Sequence, residues 1–260
     1  MSTKNIIIAG ITMLIVVAGA GLALFNLAFT NDTPPTSPIT AIPLVVSPAA
    51  PGTPATSASA TTGGADAPAE ATALPASAPQ GAGLVVFQIA PDQSQVSFAI
   101  FEELGGQPNT VVGVSNQVAG QLAVDAQDLS QTQVGVIQVN ARTFATDNNR
   151  RNGAIRNFIL NTDQYEFITF TPKSLSGLSG AAQPGQSFTF QISGDLTIRN
   201  VTQPVTFNVT AQGVSTSQIT GTATTTVNRS DFNLDIPRVP NVANVGEAVT
   251  LQIDFVANAS

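Results

Sequence analysis

The chain has 260 residues, nine Lys and Arg against sixteen Asp and Glu, a formal charge of −7, and no His, Cys or Trp. These absences exclude a Ser-His-Asp triad, a cysteine nucleophile, the usual zinc sites and every disulfide, and the acidic balance disfavours nonspecific nucleic-acid binding, which needs a basic surface. Charged residues make up 10% of the chain, well below the ~25% of an average soluble domain.

The first element is an almost unbroken apolar run over residues 5–29, with no charge between Lys4 and Asp32. As a helix rising ~1.5 Å per residue it would reach ~35 Å, enough for a ~30 Å hydrocarbon core. A signal peptide is the competing reading, and Ala18, Ala20, Ala23 and Ala28 could imitate its cleavage site. Its apolar stretch is ordinarily only ~7–15 residues, so an uncleaved anchor over residues 1–30 is favoured. Lys4 and the amino terminus would stay on the cytoplasmic side. The expected location is therefore the cell membrane, single-pass, with the rest of the chain extracytoplasmic; cleavage would make it secreted or periplasmic.

Residues 31–83 consist mainly of Ala, Pro, Thr, Ser and Gly, with only Asp32, Asp66 and Glu70 as charges. Such a stretch lacks the apolar surface to offset chain entropy and reads as a disordered, partly extended linker. As a coil it would span about 40 Å.

Residues 84–260 form the expected globular part, where the period is two. Val96, Phe98 and Ile100 alternate, as do Phe188, Phe190 and Ile192, then Val205, Phe207 and Val209, and finally Val249, Leu251, Ile253 and Phe255. Further strands are expected over 117–125, 133–142, 165–171 and 218–232. About eight strands in one domain imply an all-β antiparallel sandwich or closed barrel. One segment departs from this period. After Thr146-Asp147 as N-cap, Arg150 to Leu160 place Ile155, Phe158 and Ile159 at helical spacing. A short amphipathic helix there would turn Phe158 inward and expose its Arg residues.

No residue group points to catalysis. Asp125 and Asp128 suit turns, Glu102-Glu103 before Leu104-Gly105-Gly106 suits a solvated loop, and Asp231 and Asp235 stand too far apart on a strand to work as a pair. There is no GxxxxGK[ST], HExxH or EF-hand pattern. The expectation is no enzyme, no cofactor and no metal site. The few basic residues are grouped, with Arg142, Arg150, Arg151 and Arg156 falling at a strand end and on the expected helix. Guanidinium groups beside an apolar barrel suit a carboxylate or phosphate head group, but they equally suit a surface that balances acidic loops. Arg229 and Asp231 share a strand face and suit a local ion pair. Phe158, Phe170, Phe190, Phe207 and Phe232 are among the fourteen Phe of the chain. A barrel rich in such residues either fills its own interior or holds an apolar ligand.

Four segments carry a family resemblance. Gly194-Asp195-Leu196-Thr197-Ile198-Arg199-Asn200-Val201-Thr202-Gln203-Pro204-Val205 resembles the G-x-L-T-I-R-G-V-T-x-P-V run of the YceI-like family, and Asn228-Arg229-Ser230-Asp231-Phe232-Asn233-Leu234 resembles its N-R-S-D-F-G-[IL] strand. Ala90-Pro91-Asp92-Gln93-Ser94-Gln95-Val96-Ser97-Phe98 is similar to the D-P-x-H-S-x-V-x-F opening, and Val245-Gly246-Glu247-Ala248-Val249 to the closing V-G-D-x-V. The resemblance implies an extended lipocalin-like antiparallel barrel over 84–260, with a long apolar cavity that binds a polyisoprenoid or another amphiphilic chain outside the bacterial cytoplasm. It favours Arg142, Arg151, Arg156, Asn157 and Arg229 as polar contacts near the mouth, with the five Phe above as lining. The alternative is a structural or adhesion domain with a filled core, displayed on the stalk. The sequence also departs from the family. Arg151-Asn152-Gly153-Ala154-Ile155 replaces R-D-x-H-L, Gln93 stands at the family His, and Asn233 at the family Gly. Head-group recognition is where these changes bear.

Overall fold

The alternation over 201–209 becomes a strand in the structure, a computed structural model that describes residues 37–46 and 83–260. Val205, Phe207 and Val209 are buried while Thr206, Asn208 and Thr210 face solvent. Strands β1 (Leu84–Ile89), β2 (Gln95–Leu104), β3 (Gln107–Ser115), β4 (Val118–Ala119), β5 (Gln121–Asp125), β6 (Gln133–Val134) and β7 (Ile137–Asn140) precede the helical segment. After it come β8 (Phe167–Ser176), β9 (Ser187–Ile198), β10 (Val201–Ser215), β11 (Gln218–Asn228), β12 (Val242–Ala243) and β13 (Ala248–Ala259). The pairings are antiparallel and follow the order β4-β7-β8-β9-β10-β11-β13-β1-β5-β6, with β2 joined to β13, β3 and β12.

The described residues form a strongly curled antiparallel sheet with one short α-helix. Its path begins on β4 and finishes on β5 and β6, although only Gly120 separates β4 from β5. The inner face carries the hydrophobic cluster, which includes Phe87, Val118, Phe144, Phe170, Leu196, Phe207 and Phe232. The outer face is wetted mostly by neutral groups, with one ion pair between Lys173 and Asp195 at 2.7 Å. Directly opposed pairs on β9 and β10 bond across the strands, Thr197 with Thr202 at 2.9 Å, Ser193 with Thr206 at 2.8 Å and Gln191 with Asn208 at 2.9 Å. These cross-strand bonds help to explain how so weakly charged a chain solvates its sheet.

Helix α1 (Asn149–Ala154) is followed by a π-helical turn, Ile155–Ile159. Its N-cap is Asn148, whose side chain accepts from the N–H groups of Arg150 (2.9 Å) and Arg151 (3.2 Å), rather than the expected Thr146-Asp147. Thr146 instead donates both its N–H and its hydroxyl to Asn152 Oδ1, each at 2.7 Å. An Asn at the family's Asp position therefore keeps the acceptor that holds this helix. Asn233 at the family's Gly position adopts φ 53°, a left-handed conformation that Asn tolerates better than most side chains.

The expected anchor over 5–29 and most of the expected linker lie outside the described residues. Among the described residues no helix is long and apolar enough to cross a membrane. Ten linker residues behave differently from the expectation of disorder. Residues 37–46 run as extended chain along the outside of the sheet, burying Ile39 and Ala41 against Ala119. Leu44 N–H donates to Gln121 Oε1 at 2.8 Å and Ile39 N–H to Gln117 Oε1 at 3.4 Å. The physical reason is composition: Ile39, Leu44 and Val46 turn apolar bulk toward the sheet that the rest of the linker lacks, while Ile42 and Val45 stay exposed.

Candidate functional site

The concave face of the sheet is the place where a chain-like apolar ligand could lie. On β2 the inward row is Val96, Phe98, Ile100 and Glu102, set opposite Ser115, Gly113, Val111 and Asn109 of β3. Phe98 packs edge-on to Phe144 with ring centres 5.3 Å apart, and Phe170 does the same with Phe207 at 4.9 Å. Phe98, Phe170 and Phe255 occupy the places where side chains of Gly113, Gly194 and Gly221 would otherwise stand. Each ring is thus drawn onto the wall. Along β13 the inward Leu251, Ile253 and Phe255 are only half-buried, and Ala257 is the first buried residue of that row, at 0% exposed. Phe190 is likewise half-buried, whereas Phe207 and Phe232 are buried.

Helix α1 and its π turn pack against one end of the sheet, beside the β2–β3 hairpin. Ile155 and Leu160 join the interior cluster. Phe158 does not, being 51% exposed. The expectation that Phe158 turns inward and the Arg residues outward is therefore reversed for Phe158 and Arg151. The π turn adds a residue to the helical repeat, so Ile155 and Ile159 pack on the core while Phe158 rotates off it.

Arg151 reaches the wall. Its Nη2 donates to Glu102 Oε1 at 3.0 Å and its Nη1 to Asp147. Asn109 Nδ2 donates to the same Glu102 oxygen at 2.9 Å. Glu102, expected in a solvated loop, is only 5% exposed. The alternation of Val96, Phe98 and Ile100 carries on to Glu102, and that was the signal that could have found it. Its neighbour Glu103 accepts from Asn244 at 2.8 Å. Arg142 is buried too, with its Nε donating to the Thr162 carbonyl at 3.0 Å and its Nη2 lying 3.2 Å from Asp163. Arg229 donates to the carbonyls of Gly246 (3.2 Å) and Leu234 (3.1 Å) and pairs with Glu247. The expected Arg229–Asp231 pair is replaced by this arrangement. Residues 229–232 coil into a tight turn rather than continue the strand, and Asp231 accepts from Asn228. Arg156 and Asn157 lie half-buried on the π turn.

The sequence-predicted polar residues are thus gathered at one end, whereas Phe190 lies toward the other end of β9, and Arg142, Arg151 and Arg229 are each already paired with a carboxylate. Far from them, Asp128 caps a short turn, and bonds from the Ser130 hydroxyl, the Gln131 amide and the Ser130 N–H hold its carboxyl below the ordinary value of 3.8. Two open grooves, of about 400 and 350 Å³, lie along the strands. The first includes Thr210, Thr222 and Asp254, and the second includes Gln203, Asn228 and Phe232. Among the described residues no group of three His, Cys, Asp or Glu could hold a metal ion.

The model of the YceI-like domain family matches residues 87–257. A UPF0312 protein of Staphylococcus aureus (strain MSSA476) is 32% identical over 103 residues, which is 37% of this chain and 51% of that protein. The chain therefore spans about half the length of the curated relatives it matches. Among solved structures, a polyisoprenoid binding domain from Saccharophagus degradans, implicated in plant cell wall breakdown, superposes with a TM-score of 0.53 at 14% identity, covering 68% of this chain and 99% of that one. BcnA of Burkholderia cenocepacia superposes with a TM-score of 0.51 at 19% identity, covering 65% and 99%. At these identities the likeness is one of fold.

Proposed function

This chain belongs to the YceI-like domain family, and from that premise we propose that its curled sheet closes into an extended lipocalin-like barrel whose interior binds a polyisoprenoid or another long-chain amphiphilic lipid. Closure is supported by the two ends of the sheet path. β4 pairs with β7 and β5 with β6, and both partners belong to successive stretches of chain. The observation that carries the binding role is the half-buried apolar row of Leu251, Ile253 and Phe255, together with rings drawn onto glycines of the wall. A core filled by its own side chains buries such residues fully and sends aromatic rings across its centre. The solved neighbour described as a polyisoprenoid binding domain supports the same ligand class.

In this reading Phe170, Phe190, Phe207 and Phe232 line or back the chain-binding interior, and Arg151, Arg156 and Asn157 stand near its mouth. The role is binding or carriage rather than catalysis. Residues 5–29 anchor the chain in the membrane, and the domain works on the extracytoplasmic side. Native mass spectrometry of the protein purified from its own host tests this proposal. A co-purifying lipid, or uptake of added isoprenoid, is the expected result. Absence of both would leave the structural, filled-core role in its place.

A further inference from the structure

Resting on the lipid-binding reading above, we infer that the ligand's head group is an uncharged hydrogen-bond donor, a hydroxyl, and that this site discriminates against phosphate. The apolar inward row of β2 ends in a carboxylate. Val96, Phe98 and Ile100 lead to Glu102, 5% exposed, so a chain lying along this row brings its head to that group. Among the described residues, both bonds made by Glu102, from Asn109 Nδ2 at 2.9 Å and Arg151 Nη2 at 3.0 Å, fall on Oε1. Oε2 is thereby left to accept from a ligand. A carboxylate accepts hydrogen bonds and donates none, so a hydroxyl satisfies it.

A phosphate meets the opposite situation. To bind Arg151 it must compete with Glu102 and Asp147, and taking the guanidinium from Glu102 strands a buried carboxylate without its cation. Arg142 and Arg229 are paired with Asp163 and Glu247, whose carboxylates are exposed, so at those two a phosphate meets a competing anion rather than the penalty of a buried one. The formal charge of −7 adds a repulsive field for any approaching anion. Arg151 therefore ties the helix to the wall, and Glu102 acts against anionic heads by the penalty of being left unpaired.

The test compares equilibrium binding of geranylgeraniol and geranylgeranyl phosphate to the full chain, because equal chains cancel the apolar contribution. The alcohol is expected to bind at least ~10-fold more tightly. In Glu102→Gln the order should reverse: the alcohol loses its ionised acceptor and weakens, while Arg151 becomes available and the phosphate strengthens ~10-fold. Glu103→Gln, on the other face of β2, should leave both affinities unchanged. Tighter phosphate binding by the native protein overturns the inference, as does an unaltered preference in a folded Glu102→Gln variant. Should that variant not fold, the native comparison decides alone. If neither compound binds, the lipid-binding reading falls and takes this inference with it.

Discussion

At the scale of single residues, the wall of the sheet is built on glycines that face phenylalanines. A Cβ on Gly194 would stand 2.4 Å from the Thr171 carbonyl oxygen and 2.8 Å from Phe170 Cζ, and the first of these is backbone that cannot step aside. Gly213, near the far end of β10, has nothing within 4 Å of its would-be Cβ. Gly194→Ala should therefore cost ~1–3 kcal/mol, and Gly213→Ala should stay within ~0.5 kcal/mol of the native protein. Urea unfolding of the two variants checks this, and equal stabilities would mean that the Phe170–Gly194 contact is not tight. Gly194 opens the motif that carries the family resemblance, so its position was legible from sequence. The ring that needs the space was not, because Phe170 lies on a different strand and meets Gly194 only through pairing of β8 with β9. The same limit hid Glu102. The period of β2 points it inward beside a Gly-Gly turn that suggests solvent, and only the pairing of β2 with β3 and the reach of Arg151 supply the partners that let it be buried.

At the scale of elements, most strands follow from period-two alternation, since an inward apolar row is what a one-sided sheet requires. The helix is legible by position but not by orientation, because a single added residue in the π turn rotates Phe158 off the face that an ideal 3.6-residue repeat assigns it. Residues 37–46 were hidden for a different reason. Their stretch is dominated by Ala, Pro, Ser and Thr, and the brief apolar cluster has no meaning until a surface is there to receive it. This strap crosses the place where β4–β7 pairing gives way to β5–β6, each only two residues long, and Leu44 covers Gly135 there. Ile39→Asp should loosen that junction, raising amide exchange over 117–123 and 133–140 by about tenfold. Val45→Asp, at a position 78% exposed, should not. Equal exchange in the two variants would mean that the strap contributes nothing to the junction.

At the scale of the whole molecule, low charge and a neutral outer wall belong to one design. Thr, Ser, Gln and Asn pairs satisfy one another across β9 and β10, Lys173 and Asp195 pair on the same outer wall, and the ion pairs of Arg142, Arg151 and Arg229 lie around the helical end. In the proposed lipid-binding role the apolar interior is then the dominant source of affinity. Each buried CH₂ contributes ~0.8 kcal/mol before the cost of ordering the chain. Across isoprenoid alcohols of rising length, affinity should climb at least ~10-fold per five-carbon unit until the interior is occupied, and then level off. A titration series with no length dependence would place the ligand on one of the outer grooves instead.

By itself the sequence, which expected about eight strands where thirteen form and missed β1 and β3, determined the all-β character of residues 84–260, most of its strands, a short helix within 150–160 and the family to which the chain belongs. These are properties of local period, turn residues and motifs, all of which are written within a few neighbouring positions. The tertiary structure alone decided what neutralises the inward carboxylate, which Arg residues are already paired, which way the helix presents Phe158, and that part of the linker lies on the wall. Each of those depends on groups distant in sequence meeting across a curled sheet, where a buried charge must find its partner and an exposed apolar segment its cover.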